Sequence, residues 1–306
     1  MRIIFAGTPA NAAKTLEALV DAGYNVVGVL TRSDAPTGRN SVVTESAVAK
    51  MASSLAIPMW KSNSIDEAAL NWISGLNADL GVIVAYGSIL RKEVLGIPSR
   101  GWINLHYSLL PKYPGASPVQ QAILEGATST GVSVFELDEG VDSGPILSAQ
   151  EIDIKPNESA GELLERLADE GSKLLVRTLH EFDSLYSSRA AQPADVGRAV
   201  TKKITRSIAR LDFNLSAEKF VNKVRAMNPE PVAWFELNSL PVRVLEASVS
   251  GATQLEPGIA KLDDSELVVG CLAGSVVLKK VQPAGKKAMS GADWFRGLRR
   301  DSLLLS

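Results

Sequence analysis

RIIFAGTP, residues 2–9, opens the chain with a short apolar run that ends in a turn. Four consecutive apolar residues followed by Gly, Thr and Pro predict a buried strand. Residues 10–22 carry apolar side chains at helical spacing, and residues 25–31 form a second β-rich run. A strand, a helix and another strand in this order are the building unit of a parallel sheet with helices on its faces.

The same alternation continues to about residue 185. We predict helices at 46–55, 66–76, 118–125 and 159–185, and strands near 58–60 and at 80–86, 102–105, 131–137 and 146–154. Residues 80–86 are apolar without interruption, which is typical of a strand buried on both faces. The first part of the chain is therefore predicted to be an α/β domain with a doubly wound, Rossmann-like parallel sheet.

The pattern changes after residue 188. Residues 189–206 are rich in small and turn-forming residues, as in a linker, and a helix is predicted at 217–227. Short β-rich runs bounded by Gly, Pro or Asp then follow at 233–237, 242–249, 258–262, 267–272 and 276–281. We therefore predict a catalytic domain at 1–188, a linker at 189–206, and a smaller, OB-like β-barrel domain at 207–306.

The overall composition is that of an ordinary globular protein. Of 306 residues, 45% are hydrophobic and 22% are charged, with a formal net charge of −2. Residues 201–306 hold 16 Lys/Arg against 11 Asp/Glu, whereas residues 1–200 hold 16 against 23. The basic C-terminal part suggests contact with nucleic acid, and a solvated surface of mixed charge is the alternative.

The compartment follows from what the sequence lacks. A single cysteine, Cys271, excludes a disulfide within the chain and is predicted to be a small buried hydrophobe. No run approaches the ~20 apolar residues of a membrane span, and the N-terminus reads as a strand, not a signal peptide. We therefore expect a cytoplasmic protein.

A histidine and an asparagine lie at the end of one predicted strand. His106 ends the segment 102–106, and the carboxyl ends of strands in an open α/β sheet are where ligands bind. Alternation along the strand places Asn104 and His106 on the same face. A carboxamide beside an imidazole suits a reaction in which negative charge develops on a carbonyl oxygen. A structural histidine with satisfied hydrogen bonds is the alternative.

Asp142 lies in an acidic turn with glycines on both sides. DEGVDSGP, residues 138–145, connects two predicted strands. Turns of this kind are usually surface connections. If this one folds back over the edge of the sheet, Asp142 would meet His106 and fix its charge state, but the spacing does not decide between these two arrangements.

Missing motifs exclude several kinds of chemistry. No GxGxxG follows the first strand and no P-loop is present, which argues against a dinucleotide or a nucleoside triphosphate. Ser108 is not in a GxSxG turn, so a serine nucleophile is not expected. One Cys and two His do not indicate a zinc site, and we expect no metal.

The motif residues resemble a known family. NLHYSLLP at 104–111, GA at 115–116 and GVDSG at 140–144 resemble the signature of the 10-formyltetrahydrofolate-dependent formyltransferases. IIFAGTP at 3–9, VAYG at 84–87, FNLSA at 213–217, NPEPVAW at 228–234 and QPAGKKAM at 282–289 resemble the branch that formylates methionyl initiator tRNA. The resemblance covers nearly the whole chain. It implies that 10-formyltetrahydrofolate is the formyl donor and co-substrate, and that initiator methionyl-tRNA is the acceptor in translation initiation.

The resemblance also implies roles for individual residues. The catalytic trio of the family maps onto Asn104, His106 and Asp142. The positions that would bind the folate are Ser108, Leu109, Leu110 and Pro111 in one loop, and Val84, Ala85, Tyr86 and Gly87 beside the pterin. The family's C-terminal barrel helps to hold the tRNA, and an inserted loop that reaches its acceptor end places its key arginine at Arg39.

Other tRNA contacts are predicted from charge. The candidates for phosphate contacts are Lys202, Lys203, Arg206, Lys286 and Lys287, with a solvated charged surface as the alternative for each. Two departures from the family pattern bear on the acceptor. After Arg39 the family carries lysines where this chain has Asn40–Val43, and Pro114 replaces an arginine of the family.

The residues and the resemblance together give a mechanism. We expect the amine to attack the formyl carbon directly, with Asn104 and a protonated His106 stabilising the oxyanion and Asp142 supporting His106 and accepting a proton. Alternative functions are a sugar-nucleotide N-formyltransferase, a formyl-folate hydrolase, and a catalytically silent folate- or RNA-binding protein. We expect a monomer.

Overall fold

Apolar runs form strands where the sequence predicts them. In the computed structural model, which describes residues 1–37, 41–193, 199–251 and 254–305, the first strand is β1 (Arg2–Gly7), buried from Ile3 onward. It pairs in parallel with a strand on each side. A strand with two parallel neighbours lies inside a sheet, which is why its side chains are apolar on both faces.

The helices and strands predicted in residues 1–187 are present in the predicted order, together with two short strands and one short helix that were not predicted. They are β1 (Arg2–Gly7), α1 (Ala10–Asp21), β2 (Asn25–Thr31), β3 (Ala35–Thr37), β4 (Val42–Thr44), α2 (Ala47–Ser54), β5 (Met59–Lys61), α3 (Glu67–Gly75), β6 (Leu80–Val84), α4 (Lys92–Leu95), β7 (Trp102–His106), α5 (Pro118–Leu124), β8 (Ser129–Glu136), β9 (Ile146–Asp153), α6 (Ala160–His180) and α7 (Phe182–Ser187).

Seven of these strands form one sheet in the order β5-β2-β1-β6-β7-β8-β9. The pairs from β5 to β7 are parallel, as predicted. The pair β7–β8 is antiparallel, a direction that was not predicted from the sequence for this strand. Two parallel neighbouring strands need a connection that crosses back over the sheet, usually through a helix packed on it. The helix between β7 and β8 is α5, and it groups with residues of the second half of the chain and not with this sheet.

Polar side chains set several helix starts. Ser46 accepts a hydrogen bond from the backbone of Ala49 at 2.9 Å, and Asp66 accepts one from Ala69 at 2.9 Å. These side chains satisfy backbone N–H groups that have no partner within the helix. The predicted helices 46–55 and 66–76 therefore begin one residue early, because the capping residue itself is not helical.

Two other predictions differ from the structure. The predicted helix 159–185 is divided into α6 and α7 at Glu181, whose backbone (φ −103°, ψ 21°) is outside the helical range. A single non-helical residue hardly shifts the helical spacing of the apolar residues on either side, so the sequence pattern did not reveal this break. The polar stretch after β2 contains a two-stranded hairpin of β3 and β4, which no pattern in those residues predicted.

The second half of the chain forms an antiparallel sheet with two helices. Its elements are α8 (Ala217–Ala226), β10 (Ala233–Leu237), β11 (Leu240–Ser250), β12 (Ile259–Asp263), β13 (Glu266–Gly270), β14 (Ser275–Pro283), β15 (Met289–Ser290), α9 (Gly291–Leu298) and β16 (Ser302–Leu304). The strand order is β10-β11-β14-β13-β12-β16, with β15 paired to β14. This sheet agrees with the predicted small barrel, although β15, α9 and β16 were not predicted.

Aromatic residues form much of the core beneath this sheet. Phe213 stacks on Phe220 with ring centroids 5.3 Å apart and meets Phe235 edge-on at 5.7 Å. Phe235 in turn meets Trp294 of α9 at 5.9 Å. Offset and edge-to-face pairs at these distances are the favoured geometries of aromatic rings. The helices α8 and α9 are therefore attached to the sheet through large buried rings.

The chain folds into two compact units that are interleaved in sequence. The first comprises residues 1–115, 130–152 and 164–200, and the second comprises residues 116–129, 153–163 and 201–306. No helix of the described residues is both long and apolar enough to cross a membrane. Cys271 is buried, and burial raises its thiol pKa to about 12, as fits a packing residue.

Candidate active site

Asn104 and His106 lie at the carboxyl end of β7, as predicted. Asn104 is paired with Ile83 of β6 and with Phe135 of β8, while His106 is paired with Ser133 of β8. The residues between and beyond them, Leu105 and Tyr107, are buried. Because side chains alternate across a strand, Asn104 and His106 share one face of the sheet.

The imidazole of His106 is fixed by contacts on two sides. Its Nε2 lies 3.0 Å from the backbone oxygen of Tyr113, and since a carbonyl only accepts, Nε2 carries the proton in this hydrogen bond. Its Nδ1 lies 3.6 Å from Oδ2 of Asp142. The ring also meets Phe135 edge-on at 6.4 Å. His106 is buried, so its orientation is set by the protein.

The structure brings Asp142 to His106, which the spacing alone left open. Asp142 has a positive φ of 49°, and its Oδ2 accepts a hydrogen bond from the backbone N–H of Gly115 at 2.7 Å. The loop between β8 and β9 therefore folds back over the carboxyl edge of the sheet. The distance of 3.6 Å between Oδ2 of Asp142 and Nδ1 of His106 is within the range of an ion pair and is too long for a hydrogen bond.

Asn104 has an unused hydrogen-bonding atom. Its Oδ1 is buried and has no hydrogen-bond partner among the described residues. A buried polar atom without a partner is costly, and such atoms are rare in folded proteins. Its position next to His106 marks the place where a polar group of a substrate would satisfy it.

The loop after β7 is held by internal hydrogen bonds. Ser108 donates from its hydroxyl to the backbone oxygen of Lys112 at 2.6 Å, and Ser133 donates to the backbone oxygen of Ser108 at 2.8 Å. The backbone N–H of Leu110 donates to Ser133 at 3.1 Å. Ser108 is fully buried, so its side chain supports the loop, while Leu109 and Pro111 of the predicted folate-binding loop are half-buried.

The second predicted folate-binding segment forms a tight turn after β6. Ala85 and Gly87 have positive φ values of 46° and 81°, and Ala85 is exposed. The ring of Tyr86 is buried in the core, where burial raises its pKa. Thr8 donates to the backbone oxygen of Tyr86 at 2.8 Å. A ligand at this turn would therefore meet backbone atoms and Ala85, and not the Tyr86 ring.

The predicted tRNA-binding residues of the second unit are exposed. These are Lys202, Lys203, Arg206, Lys286 and Lys287. None of the five has an ion-pair partner among the described residues. Arg39 lies outside the described part of the chain, as does Asn40. Pro114, the other departure, is buried between Tyr113 and Gly115, the two residues whose backbone contacts His106 and Asp142.

Sequence reasoning missed an aromatic group beside these cations. The guanidinium of Arg206 lies 5.3 Å from the ring centroid of Trp234, and that of Arg210 lies 5.6 Å from the same centroid. The indole N–H of Trp234 donates to the backbone oxygen of Arg206 at 2.8 Å. Trp234 was visible as part of the NPEPVAW motif, but Arg210 carried no signal of its own.

The contacts to His106 and Asp142 from Tyr113 and Gly115 were also missed. Both are backbone contacts, and backbone atoms have no signature in a sequence beyond the Pro and Gly that shape the loop. The described residues contain no group of three or more His, Cys, Asp or Glu side chains arranged for a metal ion.

Family models match both parts of the chain. The model described as formyl transferase matches residues 1–179, and the model described as the C-terminal domain of formyl transferase matches residues 203–299. This chain belongs to the formyl transferase family. The residues that resembled the family signature, with Asn104, His106 and Asp142 among them, lie within the first match.

Curated relatives of the family cover nearly the full length. A methionyl-tRNA formyltransferase of Paenarthrobacter aurescens (strain TC1) is 42% identical over 299 residues, which are 97% of this chain and 97% of the relative. Another, of Clavibacter michiganensis subsp. michiganensis, is also 42% identical over 299 residues with the same coverage of both chains.

Solved structures of low sequence identity share the fold. WlaRD, described as a sugar 3N-formyl transferase with dTDP and 5-N-formyl-THF, has a TM-score of 0.67 at 15% identity, covering 94% of this chain and 99% of its own. HypX from Aquifex aeolicus in complex with tetrahydrofolic acid has a TM-score of 0.65 at 16% identity, covering 96% of this chain and 47% of its own.

Proposed function

We propose that this protein transfers the formyl group of 10-formyltetrahydrofolate to the free amino group of methionyl initiator tRNA. The acceptor is supported by relatives of that activity, 42% identical over 97% of this chain. The chemistry is supported by one geometric observation, the buried His106 held between the Tyr113 carbonyl and Asp142. We propose that it acts as a monomer in the cytoplasm during translation initiation.

The folate is a co-substrate that supplies the formyl group. We propose that the loop 108–111 and the turn 84–87 contact it, the latter through backbone atoms and Ala85 because the Tyr86 ring is buried. The unpaired Oδ1 of Asn104 fits a site that a polar substrate completes. No metal takes part in the proposed reaction.

Asn104 and His106 would stabilise the charge that develops on the formyl oxygen. As the amine nitrogen bonds to the formyl carbon, the carbonyl electrons move to oxygen, and the Asn104 amide group donates a hydrogen bond to that oxyanion. Nε2 of His106 is occupied by the Tyr113 carbonyl, so Nδ1, which has no hydrogen bond to Asp142 at 3.6 Å, is the nitrogen free to donate to the oxyanion.

Asp142 would support the charged imidazole and take part in proton transfer. Its carboxylate faces Nδ1 of His106 at 3.6 Å. The attacking amine must lose a proton, and Asp142 or a water that it holds can accept it. The oxyanion then re-forms the carbonyl as the carbon–nitrogen bond to the folate breaks, the electron pair of that bond goes to the folate nitrogen, and that nitrogen takes up a proton.

The acceptor tRNA would be held by exposed cations of the second unit. The residues with the charge and exposure for contacts to phosphates are Lys202, Lys203, Arg206, Lys286 and Lys287. The guanidinium groups of Arg206 and Arg210 both lie over the ring of Trp234. Arg39 is proposed to reach the acceptor end on the basis of the family resemblance alone.

One assay with several acceptors tests the reaction. The purified protein is incubated with 10-formyltetrahydrofolate labelled in the formyl group and with charged initiator tRNA, uncharged tRNA, a dTDP-amino sugar, or no acceptor. We expect label in formyl-methionine with the charged tRNA only. Release of formate at the same rate without an acceptor would indicate a hydrolase, and label in the sugar would indicate a sugar formyltransferase. Either result would contradict the proposal.

A salt titration tests the tRNA contacts. Replacing Lys202 and Lys203 by Ala should weaken tRNA binding and reduce the slope of log K against log salt by about 1 for every phosphate that a lysine neutralises in the wild type. Lys173→Ala is the matched control, because Lys173 is paired with Glu170 in α6 and is not proposed to touch tRNA. An unchanged slope in the double variant would remove both lysines from the interface.

A further inference from the structure

A short segment of the chain runs beside the loop that carries Asp142. This segment, residues 189–192, is called the strap here. The backbone of Ala190 donates to Ile146 at 2.9 Å and accepts from Ile146 at 2.8 Å, which makes an antiparallel bridge to the first residue of β9. The strap lies in the region that the sequence predicts as a linker, and in the structure it belongs to the first unit and is hydrogen-bonded to β9.

The side chain of Gln192 bonds directly to the Asp142 loop. Its Nε2 donates to the backbone oxygen of Asp142 at 3.0 Å and to the backbone oxygen of Gly144 at 2.7 Å. A primary amide has two N–H donors, so both are used on this loop. The two carbonyls lie on either side of Ser143, and Gln192 therefore fixes the backbone that leaves Asp142.

Arg189 anchors the other end of the strap to β8. Its guanidinium forms an ion pair with Glu136, the last residue of β8, at 2.6 Å, and lies 3.9 Å from the ring centroid of Tyr186. Tyr186 donates from its hydroxyl to the same carboxylate at 2.8 Å. The strap thus contacts the strand before the loop, the strand after it, and the loop itself.

The hydrogen bonds within the loop involve residues on either side of Asp142, whereas the bond from Gln192 reaches the Asp142 backbone itself. Within the loop, Asp138 accepts hydrogen bonds from the backbone of Gly140 and from the Ser143 hydroxyl. Asp142 itself has a left-handed backbone, a conformation that is unfavourable for a residue with a side chain. Gln192 bonds to the peptide carbonyl of this strained residue.

We infer that Gln192 is a positioning residue that holds Asp142 in contact with His106. This inference rests on the proposed function, since it assigns Gln192 to the same reaction. Gln192 bonds to the Asp142 backbone and acts on the carboxylate through it. A displacement of 1 Å in a catalytic group costs on the order of 10²-fold in rate. Loss of one of several supports should therefore lower kcat by about tenfold.

Two substitutions separate hydrogen bonding from packing. Gln192→Glu keeps the size and shape of the side chain but replaces the NH2 group, and with it both N–H donors, by one carboxylate oxygen that faces the two backbone oxygens. Gln192→Ala removes the side chain. We expect both to lower kcat for formyl transfer by about tenfold, with KM for the folate and the tRNA nearly unchanged, because neither binding surface is altered.

A spectroscopic measurement follows the His106–Asp142 contact without substrate. The chain has two histidines, so the ¹⁵N resonances of the His106 ring can be assigned by comparison with a His180 variant. In both Gln192 variants we expect the His106 ring resonances to shift and those of His180 to stay in place. This readout does not depend on activity, so it still tests the inference if the proposed acceptor is wrong.

Gln150→Ala is the matched control. Gln150 lies in β9, is half-buried like Gln192, and also makes two side-chain hydrogen bonds, to Glu170 and from Arg177. It should leave kcat and the His106 resonances unchanged. Wild-type kcat and an unshifted His106 spectrum in Gln192→Glu would overturn the inference. So would a fall in activity that only follows a fall in thermal stability, with His106 unshifted.

Discussion

The strand end at Asn104 and His106 and the loop at Asp142 carry the same proposed chemistry but are held in different ways. The strand residues are placed by the pairing of β7 with β6 and β8, which repeats every two residues. The loop residue is placed by a left-handed backbone and by single contacts to Gly115 and Gln192. The first kind of placement follows from a local period, whereas the second depends on residues 27 and 50 positions away.

The largest expected effect comes from the strand. Asn104→Ala should lower kcat by about 10²–10³-fold, because it removes a hydrogen-bond donor aimed at the developing oxyanion. Thermal stability should change little, since the Oδ1 of Asn104 has no partner to lose among the described residues. Single-turnover rates with saturating tRNA would measure the effect. A rate within threefold of the wild type would exclude Asn104 as the oxyanion donor.

The loop residue is expected to contribute less. Asp142→Asn keeps an oxygen for the Gly115 N–H but removes the charge that faces His106. We expect kcat to fall by about 10²-fold, the lower end of the range for a group that assists proton transfer. Measuring kcat for this variant and for Asn104→Ala under the same conditions tests the ranking. A greater loss in Asp142→Asn would show that the loop, and not the strand, makes the larger contribution.

The fold of the loop can be perturbed without touching Asp142. Gly144 has no room for a side chain, because an added Cβ would overlap the backbone oxygen of Glu136. Gly144→Ala should therefore destabilise the protein by about 1–3 kcal/mol and displace the loop, with a loss of kcat. Urea denaturation and the formyl-transfer assay on the same preparation measure both effects.

Gly75→Ala provides the control for this change. Gly75 ends α3, has no atom within 4 Å of an added Cβ and lies far from the loop in sequence. We expect it to leave activity unchanged and to stabilise the protein by roughly 0.5 kcal/mol, since alanine loses less backbone freedom on folding. Equal unfolding free energies for the two alanine variants would contradict the account of the loop.

The smallest effect on activity at neutral pH is expected from Tyr107, the residue after His106. Tyr107 follows His106 but is buried on the other side, and burial raises its pKa to about 12, partly opposed by the Asn11 and Thr15 side chains. The unfolded chain ionises this group near pH 10. Its contribution to stability is therefore complete below pH 10 and is lost as the pH rises from 10 to about 12.

Tyr107→Phe should remove that loss. We expect near wild-type kcat at pH 7.5 and a flatter decline of the unfolding free energy between pH 10 and 12, measured by urea denaturation at each pH. Equal slopes for variant and wild type over this interval would show that Tyr107 ionises in the folded protein as it does in the unfolded chain.

The same difference between strand and loop explains which parts could be predicted from the sequence. The apolar runs predicted β1, β2 and β6 nearly to the residue, and period-two alternation put Asn104 and His106 on one face. The strand β8 was predicted at 131–137, but its antiparallel direction was not, because pairing direction depends on where the connecting segment packs and apolar runs do not encode that. Asp142 was named only through the family resemblance.

Other features had no local signal at all. The Tyr113 carbonyl and the Gly115 N–H act through backbone atoms that almost every residue has. Gln192 lies in a stretch of small and turn-forming residues. Nothing in that stretch distinguishes a glutamine that bonds to a residue 50 positions away from one that faces solvent. The domain limits 1–188, 189–206 and 207–306 remain predictions. They were drawn from composition along the chain, which can only divide it into continuous segments.

The interleaving of the two units matters for anyone who cuts this gene into pieces. The second unit includes residues 116–129 and 153–163. The first of these segments contains α5, which packs on α8. The second is held by Arg225 of α8, which donates to the backbone oxygens of Pro156 and Glu158. A fragment that starts at residue 207 would lack these pieces, and one that ends at 188 would carry them without their partners. Expression as two separate fragments would therefore divide one folding unit, whereas a protease nick in the predicted linker would leave every hydrogen bond among these segments in place.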